Sequence, residues 1–181
     1  MSEVYNRFKQ RMDFFRFANI KNKKVLDVGC GKGVSSFIAA EFFNCNVFVI
    51  EPFNEKILQT KKYFHEKNFL KKIHFINKSI TDNDLPSNDF DFVFCFNVLH
   101  HIKKSLRKKA LSEMFRVCRS GLFISELNDF GVKIFDELVH PRENHDALKV
   151  NLNSMEKMLK NFGVIKRFKS GRINNFYEVL K

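Results

Sequence analysis

Apolar residues recur along this chain in two rhythms, and together they predict a layered α/β domain. Val4, Phe8, Met12 and Phe15 return every three or four positions, the period of an amphipathic helix with one buried face. Short apolar runs then appear at 24–28, 46–50, 73–76, 91–96 and 122–125, bounded by polar turns, and these predict strands covered on both faces. Helical spacing returns between them, over 34–43, 54–66 and 103–118. Strands alternating with helices predict a mostly parallel, doubly wound sheet. The end of the chain changes character. A helix over 154–163 stops at Gly163, and two strands follow at 164–168 and 176–180, joined around Ser170-Gly171-Arg172. The stretch 126–152 is irregular apart from a helix over 130–139. It leaves from the carboxyl end of the fifth strand, where open α/β sheets bind ligands, and is therefore expected to touch substrate.

The chemistry is concentrated where the first strand ends. Lys24-Val25-Leu26-Asp27-Val28 runs into Gly29, Gly31 and Gly33, with Cys30 between the first two glycines. Glycines at alternate positions let the backbone turn sharply and let a ligand approach the main chain. The helix that follows aims its amides and positive dipole end into the same turn. The second strand ends in Glu51, about 20 residues beyond the glycines, where dinucleotide-type folds place the carboxylate that grips a ribose. The spacing Asp27-x-Gly29-x-Gly31-x-Gly33 is not the dinucleotide Gly-x-Gly-x-x-Gly, which disfavours a nicotinamide dehydrogenase.

The motif resembles instead the first motif of class I S-adenosylmethionine (SAM) dependent methyltransferases, and four later segments resemble the same family in order. They are Ile73-His74-Phe75-Ile76 with Asn77-Lys78-Ser79-Ile80; Asp82-Asn83-Asp84-Leu85-Pro86; Asp89 to Ile102 with its Leu99-His100-His101-Ile102 tail; and Ala110 to Glu126. The resemblance implies a Rossmann-like, seven-stranded sheet of order 3-2-1-4-5-7-6 with the last strand antiparallel. The whole of 1–181 is expected to be one such domain, with a lid helix over 1–20. The cofactor it implies is SAM, with S-adenosyl-L-homocysteine as product.

Residue by residue, the resemblance implies that Asp27, Gly29, Cys30, Gly31 and Gly33 frame the methionine half of the cofactor. Glu51 takes the ribose with Pro52 beside it, Ser79 and Ile80 border the adenine, Asn97 faces the sulfonium, and Tyr5 and Arg7 close over the top. Two segments depart from the family pattern. Ser79-Ile80 stands where many relatives carry an acid, and the turn before the fifth strand is the short Arg119-Ser120-Gly121. Methyl transfer needs positioning more than covalent help. His100 and His101, at the substrate mouth, are the candidates for a general base. His140, Glu143, His145 and Asp146 have metal-ligand residue types, but nothing in their spacing fixes a site, and no metal is expected.

Composition narrows the partners. The formal net charge is +12, which points towards nucleic acid or another polyanion. The lysines, however, fall as scattered pairs such as Lys61-Lys62, Lys71-Lys72, Lys103-Lys104 and Lys108-Lys109, the pattern of solvated helix faces. No Pro-Pro-Tyr or Pro-Pro-Phe follows Asn97, and no RNA-binding module fits within the length. A small-molecule acceptor, methylated on O, N or C, is the leading expectation. Phe14, Phe15, Phe130, Phe135, Arg142 and Lys149 are expected to wall its site. An RNA or protein acceptor and a non-catalytic SAM-binding subunit stand as alternatives. Cys30, Cys45, Cys95 and Cys118 lack C-x-x-C spacing and read as buried free thiols of a reducing compartment. The polar opening residues and the absence of a long apolar run predict no signal peptide, no membrane partner and a cytoplasmic location.

Overall fold

The computed structural model opens with helix α1 (Glu3–Ala18) and then alternates β1 (Lys24–Val28), α2 (Val34–Phe42), β2 (Asn46–Ile50), α3 (Asn54–His65) and β3 (Ile73–Ile76). β4 (Phe90–Phe96), a 3-10 turn at Leu99–His101, α4 (Lys104–Val117) and β5 (Cys118–Leu127) follow. Helix α5 (Asp129–Ile134) runs on as a π-helical turn at Phe135–Val139, and α6 (Leu152–Leu159), β6 (Val164–Ser170) and β7 (Asn174–Leu180) complete the set. The structure describes residues 3–65, 72–139, 150–170 and 172–181, with side chains for 8–65, 72–137, 150–166 and 172–181.

The strands form one seven-stranded sheet in the order β3-β2-β1-β4-β5-β7-β6. β1 pairs in parallel with β2 and β4, β2 with β3, and β4 with β5, whereas β7 runs antiparallel to both β5 and β6. The expected order and the single reversed strand are thus both present. Because side chains alternate across a strand, the apolar runs feed two cores, one on each face. Leu26, Val93, Cys95, Leu122, Ile124, Tyr177 and Val179 meet Leu111 and Met114 of α4 and Met155 and Leu159 of α6. On the other face Val25, Val47, Val49, Phe94 and Phe123 meet Phe14 and Phe15 of α1 and Ile38 of α2. Phe14 and Phe15 therefore belong to the core, not to the substrate wall expected of them: the apolar stripe of α1 that carries them turns onto the sheet.

The sequence places β5 too late and too short. Arg119-Ser120-Gly121 reads as a turn, yet the three residues lie inside the strand, and Gly121 pairs with Leu180. A Cβ on Gly121 would stand 2.9 Å from both the Leu180 side chain and the Val179 carbonyl. That glycine makes room for a strand arriving from the far end of the chain, a long-range requirement that no local pattern announces. Helices α5 and α6 begin where Asn128 and Asn151 accept hydrogen bonds from the amides of Gly131 and Ser154, at 2.8 and 2.9 Å, both ordinary side-chain caps.

Candidate functional site

The strand order reverses between β1 and β4, since the chain leaves β1 towards β2 and β3 on one side and later builds β4 and β5 on the other. Open α/β sheets bind ligands at the carboxyl ends flanking such a switch. A cavity of about 430 Å³ lies there, within the size range of small-molecule sites. Its wall brings together Gly29, Cys30, Gly31, Glu51, Pro52, Ser79, Ile80, Asn97, His100 and His101, which lie far apart in sequence. Phe135 joins it from the segment after β5, whereas Phe130 is exposed and stands under the Arg172 guanidinium at 5.9 Å.

The glycine turn follows from steric demand. All three glycines have positive φ, at +82, +46 and +75°. A Cβ on Gly29 would come within 2.8 Å of Val98, and one on Gly33 within 2.6 Å of Phe64 and 2.7 Å of Thr60, whereas one on Gly31 would meet nothing within 4 Å. Gly29 and Gly33 therefore let the loop after β4 and helix α3 close in, and Gly31 leaves open space on the cavity side. Gly33 itself is not part of the wall; it starts α2, its carbonyl accepting from Phe37 N–H at 2.9 Å.

Glu51 is 4% exposed and ends β2 inside the cavity wall. Cys30 N–H donates to its Oε2 at 3.3 Å and Phe53 N–H to its Oε1 at 3.1 Å, so the carboxylate is pinned between the glycine turn and the start of α3. Each oxygen retains lone-pair capacity for a ligand hydroxyl. The Cys30 thiol donates to Glu51 Oε2 at 3.6 Å, and burial pushes its pKa up to about 11, which leaves it a protonated spacer and not a nucleophile.

Asp27 lies outside the wall. It is 2% exposed, faces the α1 and α2 layer, and accepts a 2.6 Å hydrogen bond from Ser36 Oγ. Burial pushes its pKa from 3.8 up to about 6, against the opposing pull of Ser36 and the Arg11 charge. Its place is beneath the glycine turn, as a support.

Asn97 adopts a left-handed turn with φ 55°, and its N–H donates to Ser125 O at 2.8 Å. Asn174 Nδ2, from β7, donates to Asn97 Oδ1 and to Ser125 Oγ. Glu126, at the end of β5, accepts from the amides of Val98 and Leu99 at 3.1 and 2.7 Å and lies 2.9 Å from His100 Nδ1. One buried carboxylate thus fixes both the loop after β4 and the His100 ring. His101 is exposed and its ring centroid sits 4.1 Å from that of His100.

Several wall residues had no motif to announce them. Gln10 and Arg11 reach the cavity from α1, while Lys32, Phe53 and Lys56 stand at its rim. Phe53 is 61% exposed, with Lys56 Nζ 5.0 Å from its ring. The available signal for Glu126 was its position, an acid at a strand end like Glu51. The side chains of Tyr5 and Arg7, and the segment carrying His140, Arg142, Glu143, His145, Asp146 and Lys149, lie outside the described residues.

A family model described as a methyltransferase domain matches residues 25–121, more than half of the chain. Among curated proteins, a sterol 24-C-methyltransferase of Saccharomyces cerevisiae is 30% identical over 97 residues, 54% of this chain and 25% of that protein. An O-methyltransferase of Aspergillus nomiae is 27% identical over 149 residues, covering 76% of this chain and 65% of the relative. The match thus spans only about a quarter of the sterol enzyme's length. Magnesium protoporphyrin IX methyltransferase from Synechocystis PCC 6803, solved with S-adenosylhomocysteine bound, superposes with a TM-score of 0.78 at 16% identity, covering 100% of this chain and 88% of its own. A SAM-dependent methyltransferase from Aquifex aeolicus superposes at 0.75 and 18% identity over 94% of this chain and 88% of its own. At these identities the likeness is one of fold.

Proposed function

We propose that this chain, which belongs to the methyltransferase domain family, binds SAM across the carboxyl ends of β1, β2 and β4 and transfers its methyl group to a small-molecule acceptor. The observation that carries the reading is Glu51, a buried carboxylate held by two backbone amides beside a glycine turn that leaves open space at Gly31. These residues fit the cofactor: a pinned acid for a ribose diol, bare backbone for the methionine half, and Ile80 with Phe53 as apolar flanks for a purine.

When bound, SAM supplies a sulfonium-activated methyl group. The chain's own residues do the positioning. Glu51 takes the ribose hydroxyls, with Pro52 alongside. Ser79 and Ile80 border the adenine, where Ser79 Oγ and Thr81 Oγ1 lie 2.9 Å apart and already share a hydrogen bond. Gly29 to Gly31 line the methionine half, and Asn97, held by Asn174, faces the reacting end. Asp27 and Gly33 support the turn from behind. His100, held by Glu126, and His101 stand at the mouth, suited to receive a proton from an acceptor that carries one.

The sterol 24-C-methyltransferase relative, by its name, acts on a small molecule, which supports the same class here. Exposed Lys103, next in the chain to Ile102 of the cavity wall, with Lys104 and Lys108 after it on α4, favours an RNA or protein acceptor as the second reading. Incubation with methyl-labelled SAM and fractionated cell extract separates the two. Label is expected in the low-mass fraction, and label in RNA, with binding that falls steeply with salt, would overturn the small-molecule class. Among the described residues no helix is long and apolar enough to cross a membrane.

Glu51→Ala is expected to weaken SAM binding by about 1–3 kcal/mol, because ribose hydroxyls lose a charged acceptor. Calorimetry with SAM, S-adenosylhomocysteine and NAD checks it. An unchanged affinity would move the ribose elsewhere, and binding of NAD alone would end the methyltransferase reading.

A further inference from the structure

We infer that the methyl acceptor is a small organic acid, bound as its anion with the charge at the cavity mouth and an apolar frame inside. The inference rests on the methyltransferase reading above and narrows its small-molecule class. It starts from the charges around the cavity. Two buried acids stand behind the wall, and each is met by a cation: the Arg11 charge acts on Asp27, and the Glu126 charge acts on Arg107. Glu51 is the one acid among the described residues of the wall itself, and two backbone amides already hold it. Lys32 and Lys56 also stand in the wall, and Lys103 follows Ile102 of the wall in the chain; all three lysines are exposed. They come from separate segments, the glycine turn, α3 and the residue that starts α4, so the excess of positive charge surrounds the mouth. Glu55, next to Lys56 in the chain, lies outside the wall.

A bound cofactor leaves that excess in place. The ammonium and carboxylate of its tail cancel, and its sulfonium matches the single charge of Glu51. A cationic acceptor would therefore meet three lysines and no acid free to receive it, whereas an anion is drawn in. A cleft lined by one sign of charge focuses its field and raises the local concentration of the opposite ion. The interior selects the rest of the molecule. Phe96, Val98 and Ile102 line it from the end of β4 and the loop beyond, and Phe135 from the π-helical turn, on the side of β1 away from Glu51. The whole cavity measures about 430 Å³, towards the lower end of the range that one small ligand fills, so an acceptor that shares it with the cofactor is compact. With the acid group held at the mouth, the nucleophile is a different group on the inner end, and the methylated product keeps its negative charge.

The charge of the product can be read without knowing its identity. Low-mass cell extract is incubated with methyl-labelled SAM and the native chain, an incubation without the chain is subtracted, and the label is divided between anion- and cation-exchange resins near neutral pH. Label is expected on the anion exchanger. Label on the cation exchanger, or bound to neither resin, overturns the inference and leaves the small-molecule methyltransferase standing. The variant carrying Lys32→Gln, Lys56→Gln and Lys103→Gln should need about three- to thirtyfold more of the anionic fraction for half-maximal labelling, the size expected of three screened surface charges. Lys32→Arg, Lys56→Arg and Lys103→Arg together should restore a value close to native. Calorimetry with SAM on the same variants is the second readout, and an equal loss of SAM affinity would assign the lysines to the cofactor and overturn their role here. Label confined to RNA, or a native chain that binds no SAM, marks the failure of the reading beneath, and this inference falls with it.

Discussion

Replacing Phe14 with alanine is expected to cost about 3–5 kcal/mol of folding stability, the range for deleting a fully buried aromatic ring. Phe14 is 1% exposed and touches five other phenylalanines, with ring centroids 5.2 to 6.3 Å away: Phe15, Phe94, Phe96, Phe123 and Phe176. Most of these contacts are edge-to-face, the arrangement that ring quadrupoles favour. Its five ring neighbours are themselves buried and packed on one another, so they can refill the hole only in part. Urea unfolding should show the loss, and the melting temperature should drop by roughly 6–20 °C. A loss below about 1 kcal/mol would mean that α1 does not pack on the sheet as described. The effect also reaches the site, since Phe14 packs against Phe96 and Phe96 carries the Arg11 guanidinium.

Asp27→Asn is expected to stabilise the fold at alkaline pH. Burial lifts the Asp27 pKa from 3.8 to about 6, so the folded chain holds this proton more tightly than the unfolded chain does. Stability from the protonated form is fully present below pH 3.8 and is lost as pH rises through about 6. The full loss is of the order of 3 kcal/mol, about two pKa units at 1.36 kcal/mol each. Asparagine keeps an acceptor for Ser36 and cannot ionise. The variant should therefore match the native chain near pH 4 and exceed it by up to about 3 kcal/mol at pH 8. Chemical denaturation at the two pH values checks this. Equal midpoints at pH 8 would show that Ser36 and Arg11 fully offset the desolvation of the carboxylate. A natural chain that keeps an acid here gives up stability to hold a negative charge under the ligand turn.

Sheet and helices were largely legible because parallel strands are buried on both faces. Val25 to Val28, Val47 to Ile50 and Ile73 to Ile76 are continuous apolar stretches apart from Asp27 and His74, and their polar flanks mark their ends. β5 departs from its local pattern where distant partners decide the matter: exposed Arg119 and Ser120 and the small Gly121 lie in the strand beside the end of the chain, where Gly121 pairs with Leu180 and Lys181 N–H donates to Ser120 O. The π-helical turn at Phe135–Val139 had no local signature either. In the site, the glycine turn, Glu51 and the loop after β4 were legible as an ordered set of motifs. Arg11 was not, because α1 shows in sequence only the stripe of Phe8, Met12 and Phe15, and a polar residue one place from that stripe looks solvated. The support role of Asp27 was hidden for a related reason, since its partner Ser36 lies one element away and bonds to it only once α2 has docked.

The placement of β7 between β5 and β6 also sets an order of events during folding. β6 has no pairing with β5 and reaches the sheet only through β7, although it is made first. During folding, residues Val164–Ser170 have no ladder to join until Asn174–Leu180 have paired with β5. In that interval the edges of β5 and β6 are both open, and strand edges of that kind recruit other chains. Lys166, Arg167 and Lys169 stud the waiting segment with like charge, which discourages self-association. Loss of the last eight residues would detach two strands, and would remove Asn174 from Asn97 as well.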